Sequence, residues 1–138
     1  MIRDLLVCGQ GDAEEMPGRP DWVVVSIRDP GKPPAALSPH WGAVLQLAFH
    51  DKDDEVLAEQ TGLWQLFSEQ QAHQCLDFVR KHQSTARGLL VHCFAGASRS
   101  PAVARALAHM LEVPCGADWA KGNPLVAERM RVAAARSR

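Results

Sequence analysis

GLLVHCFAGASRSPAVARALA, residues 88–108, carries three local signals in one stretch. Leu89 to Val91 is an apolar run that ends at a His-Cys pair, and such a run bounded by turn residues reads as a buried strand. The small residues Ala95, Gly96 and Ala97 follow, which permits a tight loop. From about Ser98 to Leu111 the spacing predicts a helix, with Pro101 in its first turn and Val103, Leu107 and Leu111 on one face; Pro114 and Gly116 stop it. The unit is strand, tight loop, helix.

Outward from this unit the same grammar repeats. Leu5 to Val7, Trp22 to Ile27 and Val44 to Phe49 read as further buried strands. Between the third strand and Leu89, Ala72, Cys75, Leu76 and Val79 recur at helical spacing, and Ser68 with Gln71 fits a capping box. A last helix is predicted to begin with Asn123 as N-cap and Pro124 at the first helical position. Strands alternating with helices imply an α/β domain with a mainly parallel sheet, and 138 residues suit a single domain spanning 1–138. Two segments read as loops: Asp29 to Pro39, rich in proline, and Asp51 to Thr61, polar and acidic. Loops beyond the carboxyl ends of parallel strands are where such domains place their chemistry.

Cys93 ends the fourth strand and Arg99 follows after five residues, at the helix start. This arrangement suits a phosphate monoester, whose negative charge repels an anionic nucleophile unless fixed donors offset it. The backbone N–H groups of Phe94, Ala95, Gly96, Ala97, Ser98 and Arg99 can curl around phosphate oxygens in front of the helix N-terminus. Arg99 can grip two oxygens with its planar fork. The same positive surroundings lower a thiol pKa, which makes Cys93 a candidate nucleophile as the thiolate. Ser100 is placed to hydrogen-bond the sulfur, and His92 to order the loop from behind. With Arg99 and the amides compensating charge, the scheme calls for no metal and no cofactor.

HCFAGASRS, residues 92–100, resembles the signature loop of the protein tyrosine phosphatase superfamily, in particular its small dual-specificity-like bacterial members; the similarity runs from about Val44 to Leu111. The resemblance implies a central four- or five-stranded sheet flanked by helices, with Cys93 as nucleophile, Arg99 as phosphate ligand and Ser100 as the thiolate's partner. It also implies an aspartate on an upstream loop that protonates the leaving group. Asp51, in the FHD of residues 49–51, is the better match, with Asp54 and Asp53 as alternatives in the same loop. The implied activity is hydrolysis of phosphotyrosine or phosphoserine/threonine in proteins, or of small phosphate esters, through a phosphocysteine. Two rival readings use the same loop: a rhodanese-like sulfurtransferase and a phosphate-binding module without turnover.

The remaining features bound the answer. A formal charge of -1 argues against a nucleic-acid partner, because such proteins need a basic surface. No stretch approaches a membrane span, and the start of the chain has no signal-peptide pattern, so no membrane partner and a cytoplasmic location are expected. Cys8, Cys75, Cys93 and Cys115 are scattered without metal-ligand spacing and read as reduced thiols, with Cys115 as a conceivable resolving partner for an oxidised Cys93. The acidic run at 51–54 lacks a calcium loop's glycine, since Val56 stands there. Arg28 and Lys32 read as a solvated loop that could meet the rim of a phosphorylated substrate, and Asn123, beyond its capping role, could reach the site.

Overall fold

The computed structural model describes residues 1–137. In chain order the elements are β1 (Asp4–Gly9), α1 (Gln10–Glu15), β2 (Trp22–Arg28), β3 (Ala43–Ala48), α2 (Glu55–Thr61), α3 (Glu69–His82), β4 (Gly88–Cys93), α4 (Arg99–Leu111) and α5 (Pro124–Arg136). The strands form one four-stranded sheet of order β1-β4-β2-β3, and every pairing is parallel. The two central strands are the ones whose sequences are apolar without alternation, as burial on both faces requires.

Alternate residues of β2 and β4 feed two cores. Val23, Val25, Ile27, Leu89 and Val91 pack against α3, α4 and α5 through Leu76, Val79, Val103, Leu107, Val126 and Met130. On the opposite face Trp22, Val24 and Leu90 meet Ala13 of α1, with Leu37 and Trp41 of the long loop closing over them. This period of two is the reason a single register shift would exchange the cores.

The helices predicted in sequence are present, and two more accompany them. α3 starts at the capping box, with Ser68 Oγ accepting from Gln71 N at 3.0 Å and Gln71 Oε1 accepting from Ser68 N at 3.1 Å. Asn123 Oδ1 caps α5 by accepting from Leu125 and Val126 N–H. The segment read as the polar loop 51–61 instead holds α2 over its second half. Asp54 Oδ1 accepts from Leu57 N at 2.9 Å to cap its start, and Gly62, at φ 66°, ends it in the left-handed conformation. Only Ala58 of α2 is buried, so the helix carries no apolar stripe for periodicity to detect. α1 is equally short and buries only Ala13.

The carboxyl ends of all four strands point to one rim of the sheet, as parallel pairing dictates. Cys93, Asp29, the His50–Asp51 segment and Gln10 all leave strands there. No helix among the described residues is long and apolar enough to cross a membrane.

Candidate active site

Residues 94–98 bend between β4 and the first turn of α4, and their curl is tight enough to need a particular residue at its inner side. Gly96 has φ 73°, and a Cβ there would lie 2.6 Å from the backbone carbon of Cys8 and 2.7 Å from Gly9 N. Both conformation and space therefore demand glycine. The loop is tied to the end of β1 from its other side as well, since Gln10 N donates to Phe94 O at 3.0 Å.

Cys93 lies at the floor of this loop, 2% exposed. Its Sγ accepts from Gly96 N at 3.2 Å and lies 3.1 Å from Ser100 Oγ. Burial alone would push the thiol pKa up. Hydrogen bonds from Ser100 and Gly96, with the charge of Arg99, outweigh burial and hold the group below its ordinary value. Two other thiols lack those partners: burial pushes Cys8 up to about 11 and Cys75 up to about 12. All four cysteines are free, and Cys115 is exposed.

His92 is fully buried behind the loop. Its Nε2 lies 2.6 Å from Ser26 Oγ and its Nδ1 3.3 Å from the Cys93 carbonyl. A carbonyl only accepts, so Nδ1 carries the proton and Nε2 accepts from the serine hydroxyl. Burial holds the imidazole below its ordinary pKa, against the opposing hydrogen bond to Cys93 O and the charge of Glu14. A neutral ring thus buttresses the loop from β4's other face.

Arg99 is 5% exposed and anchored through one nitrogen. Nη1 donates to Asp29 Oδ1 at 2.6 Å and to Phe49 O at 2.9 Å. Nε and Nη2 have no hydrogen-bond partner among the described residues, so two parallel donors of the fork remain for a ligand. Asp29 was not foreseen as a site residue. Its one sequence signal is position, as the first residue beyond the carboxyl end of a central strand.

Asp51 joins the loop from a different part of the chain. Its Oδ1 accepts from Ser98 Oγ at 2.8 Å and from Asn123 Nδ2 at 2.9 Å; Asn123 Nδ2 also donates to Lys52 O at 3.1 Å. Oδ2 makes no hydrogen bond among the described residues. Asn123 is 4% exposed and divides its amide between two tasks, capping α5 with oxygen and holding Asp51 with nitrogen. The other two aspartates are placed otherwise: Asp54 is occupied by the cap of α2, and Asp53 is exposed with no hydrogen bond among the described residues.

The segment that carries Asp51 closes at its base. His50 N donates to Gln65 O at 2.7 Å, and Gln65 N donates to His50 Nδ1 at 2.9 Å. Outside the clamp, Lys52 lies over the Trp64 ring at 4.7 Å. Beside the loop, Gln10, Arg28, Asp29, Lys32, Pro33 and Phe94 line a pocket of about 360 Å³. A larger groove of about 960 Å³ lies along α4 and α5 and includes none of Cys93, Arg99 or Asp51. Among the described residues, no group of three or more His, Cys, Asp or Glu is placed to hold a metal ion.

No family model matches the chain, and no curated protein matches it. Among solved structures it is similar to the human tyrosine phosphatase-like serine/threonine/tyrosine-interacting protein, with a TM-score of 0.63 and 16% identity, over 96% of this chain and 92% of that one. The all-parallel four-stranded sheet between helices is thus a tyrosine-phosphatase-like fold.

Proposed function

We propose that this chain is a metal-independent cysteine phosphatase acting on phosphate monoesters, phosphorylated proteins foremost. The observation that carries the reading is the depressed-pKa thiol of Cys93 on the floor of an amide-lined loop, beside the free side of the Arg99 fork. Fold alone does not imply turnover, and the neighbour is itself named phosphatase-like. The site residues of this chain supply the argument.

In the first step the Cys93 thiolate attacks phosphorus, the S–P bond forms and the P–O bond to the leaving group breaks. The three peripheral oxygens lie against the amides of 94–99 and Arg99 Nε and Nη2, which meet the charge of the transition state. Asp51 gives its proton to the departing oxygen, with Ser98 and Asn123 holding Oδ1 and Oδ2 left for transfer. In the second step water attacks phosphorus, the Asp51 carboxylate takes a water proton, and the S–P bond breaks to release inorganic phosphate. Ser100 receives the returning thiolate with a hydrogen bond. A cytoplasmic location agrees with a mechanism that needs a reduced thiolate and with four unpaired cysteines.

The deciding experiment is hydrolysis of p-nitrophenyl phosphate by the purified chain in the presence of EDTA. Turnover inhibited by vanadate is expected. Vanadate binding without turnover would make the chain a phosphate-binding module, and sulfur transfer from thiosulfate would make it a sulfurtransferase.

A further inference from the structure

The pocket beside the loop carries charge that the chemical steps leave unused. Arg28 donates Nε to Lys32 O at 3.1 Å and Nη1 to Gln46 Oε1 at 3.1 Å, both neutral acceptors. Neither Arg28 nor Lys32 has an ion-pair partner among the described residues. The one carboxylate in the pocket, Asp29, is engaged by Arg99. Two cations therefore stand uncompensated in one concavity, next to the place where the phosphate would sit. Two of its walls are apolar, Phe94, 73% exposed on the loop, and Pro33, and Gln10 completes the lining.

We propose that this pocket receives a second anionic group of the substrate, carried by a residue adjacent to the scissile phosphoresidue of a phosphorylated polypeptide. The inference rests on the phosphatase reading and adds to it a substrate class. Like charges held together against apolar walls favour an anion that neutralises both, whereas the scissile phosphate is already served by the amides and Arg99. Phe94 and Pro33 supply contact for the aliphatic or aromatic part of the side chains that bridge the two anions. The second group is a carboxylate or a phosphate, since both offer oxygens to Arg28 and Lys32.

The test uses three phosphotyrosine peptides identical except for one neighbour, which is alanine, glutamate or phosphoserine. Their affinities are measured calorimetrically on Cys93→Ser, and their kcat/KM on the wild-type chain. The glutamate peptide should bind about fivefold tighter than the alanine peptide, the scale of a partly exposed ion pair. The phosphoserine peptide should gain at least as much, and the ratios should shrink at high salt. In Lys32→Glu the ratios should fall to one or below, and in Lys32→Arg they should persist. Equal affinity for all three peptides, or a preference that survives Lys32→Glu, overturns the proposal. The phosphatase reading is read separately: preference in binding with no turnover of any peptide sinks the enzyme and keeps the pocket, and turnover without preference does the reverse.

Discussion

The loop from Cys93 to Arg99 and the flap from His50 to Gln65 meet in one hydrogen bond, Ser98 to Asp51, yet they are built in opposite ways. Cys93 and Arg99 are buried, Gly96 is locked against the backbone of Cys8 and Gly9, and His92 supports the turn from behind. In the flap, Asp51, Asp53, Asp54 and nearly all of α2 are exposed, and Ala58 is the one buried residue of that helix. A group that must bind a fixed charge distribution gains from rigidity, whereas a group that delivers a proton to leaving groups of varied shape is served by a movable support. The difference separates what the site holds from what it brings.

The rigid half should fail most completely. Cys93→Ser is expected to cut turnover by more than about a thousandfold, because an alcohol is not ionised at neutral pH, while vanadate still binds. Arg99→Lys should cost about a hundredfold or more, since a point charge replaces the fork and cannot both meet Asp29 and the Phe49 carbonyl as Nη1 does and offer two parallel donors to the phosphate. Kinetics close to wild type in either variant would break the assignment of the loop.

The flap should fail selectively. Asp51→Asn is expected to slow phenyl phosphate hydrolysis by about a hundredfold and to slow an aryl phosphate with several electron-withdrawing groups far less. Asp53→Asn and Asp54→Asn are the matched controls, the latter retaining a side chain that can cap α2. A leaving-group-dependent loss in Asp54→Asn would transfer the proton donor to that residue. Asn123→Asp keeps an acceptor for the Leu125 and Val126 N–H groups but sets a carboxylate against Asp51, and about a tenfold loss on phenyl phosphate is expected.

The smallest effect sharpens the chemistry of the thiol. In a Cys115→Ser background, iodoacetamide at neutral pH should modify Cys93 alone, because its pKa lies below the ordinary value while Cys8 and Cys75 stand near 11 and 12. Ser100→Ala removes a hydrogen bond that favours the thiolate, so the midpoint of alkylation against pH should move upward. An unmoved midpoint would assign the depression to Gly96 and Arg99.

The legibility of the sequence follows the same division. Strand, loop and helix around Cys93 are contiguous, and an unbroken apolar run, three small residues and a proline in the first helical turn stand one after another, so the residues themselves announce the unit. The expected four- or five-stranded, mainly parallel sheet is found with four strands, all parallel. The contact between Arg99 and Asp29 spans 70 positions and that between Asn123 and Asp51 spans 72, distances over which no local pattern speaks. Asn123 was legible as a cap through its proline and as a residue that could reach the site, but its partner there, Asp51, was not. α2 escaped because a short exposed helix has no apolar face; its surviving signals were Asp54 and Gly62 at its two ends.

The clamp between His50 and Gln65 closes the flap at its base, while Asp51, Lys52 and Glu55 tie its first half to Ser98, Asn123 and Arg129. The outer end, at Gly62 and the 69% exposed Leu63, makes no hydrogen bond or ion pair outside the flap among the described residues. Closure entropy rises by only about 0.6 kcal/mol for each doubling of a loop's length. The tip is therefore a docking port for engineering: a recognition segment grafted after Thr61 would lengthen the flap away from the contacts that hold Asp51, adding a handle for partners without touching the atoms that react.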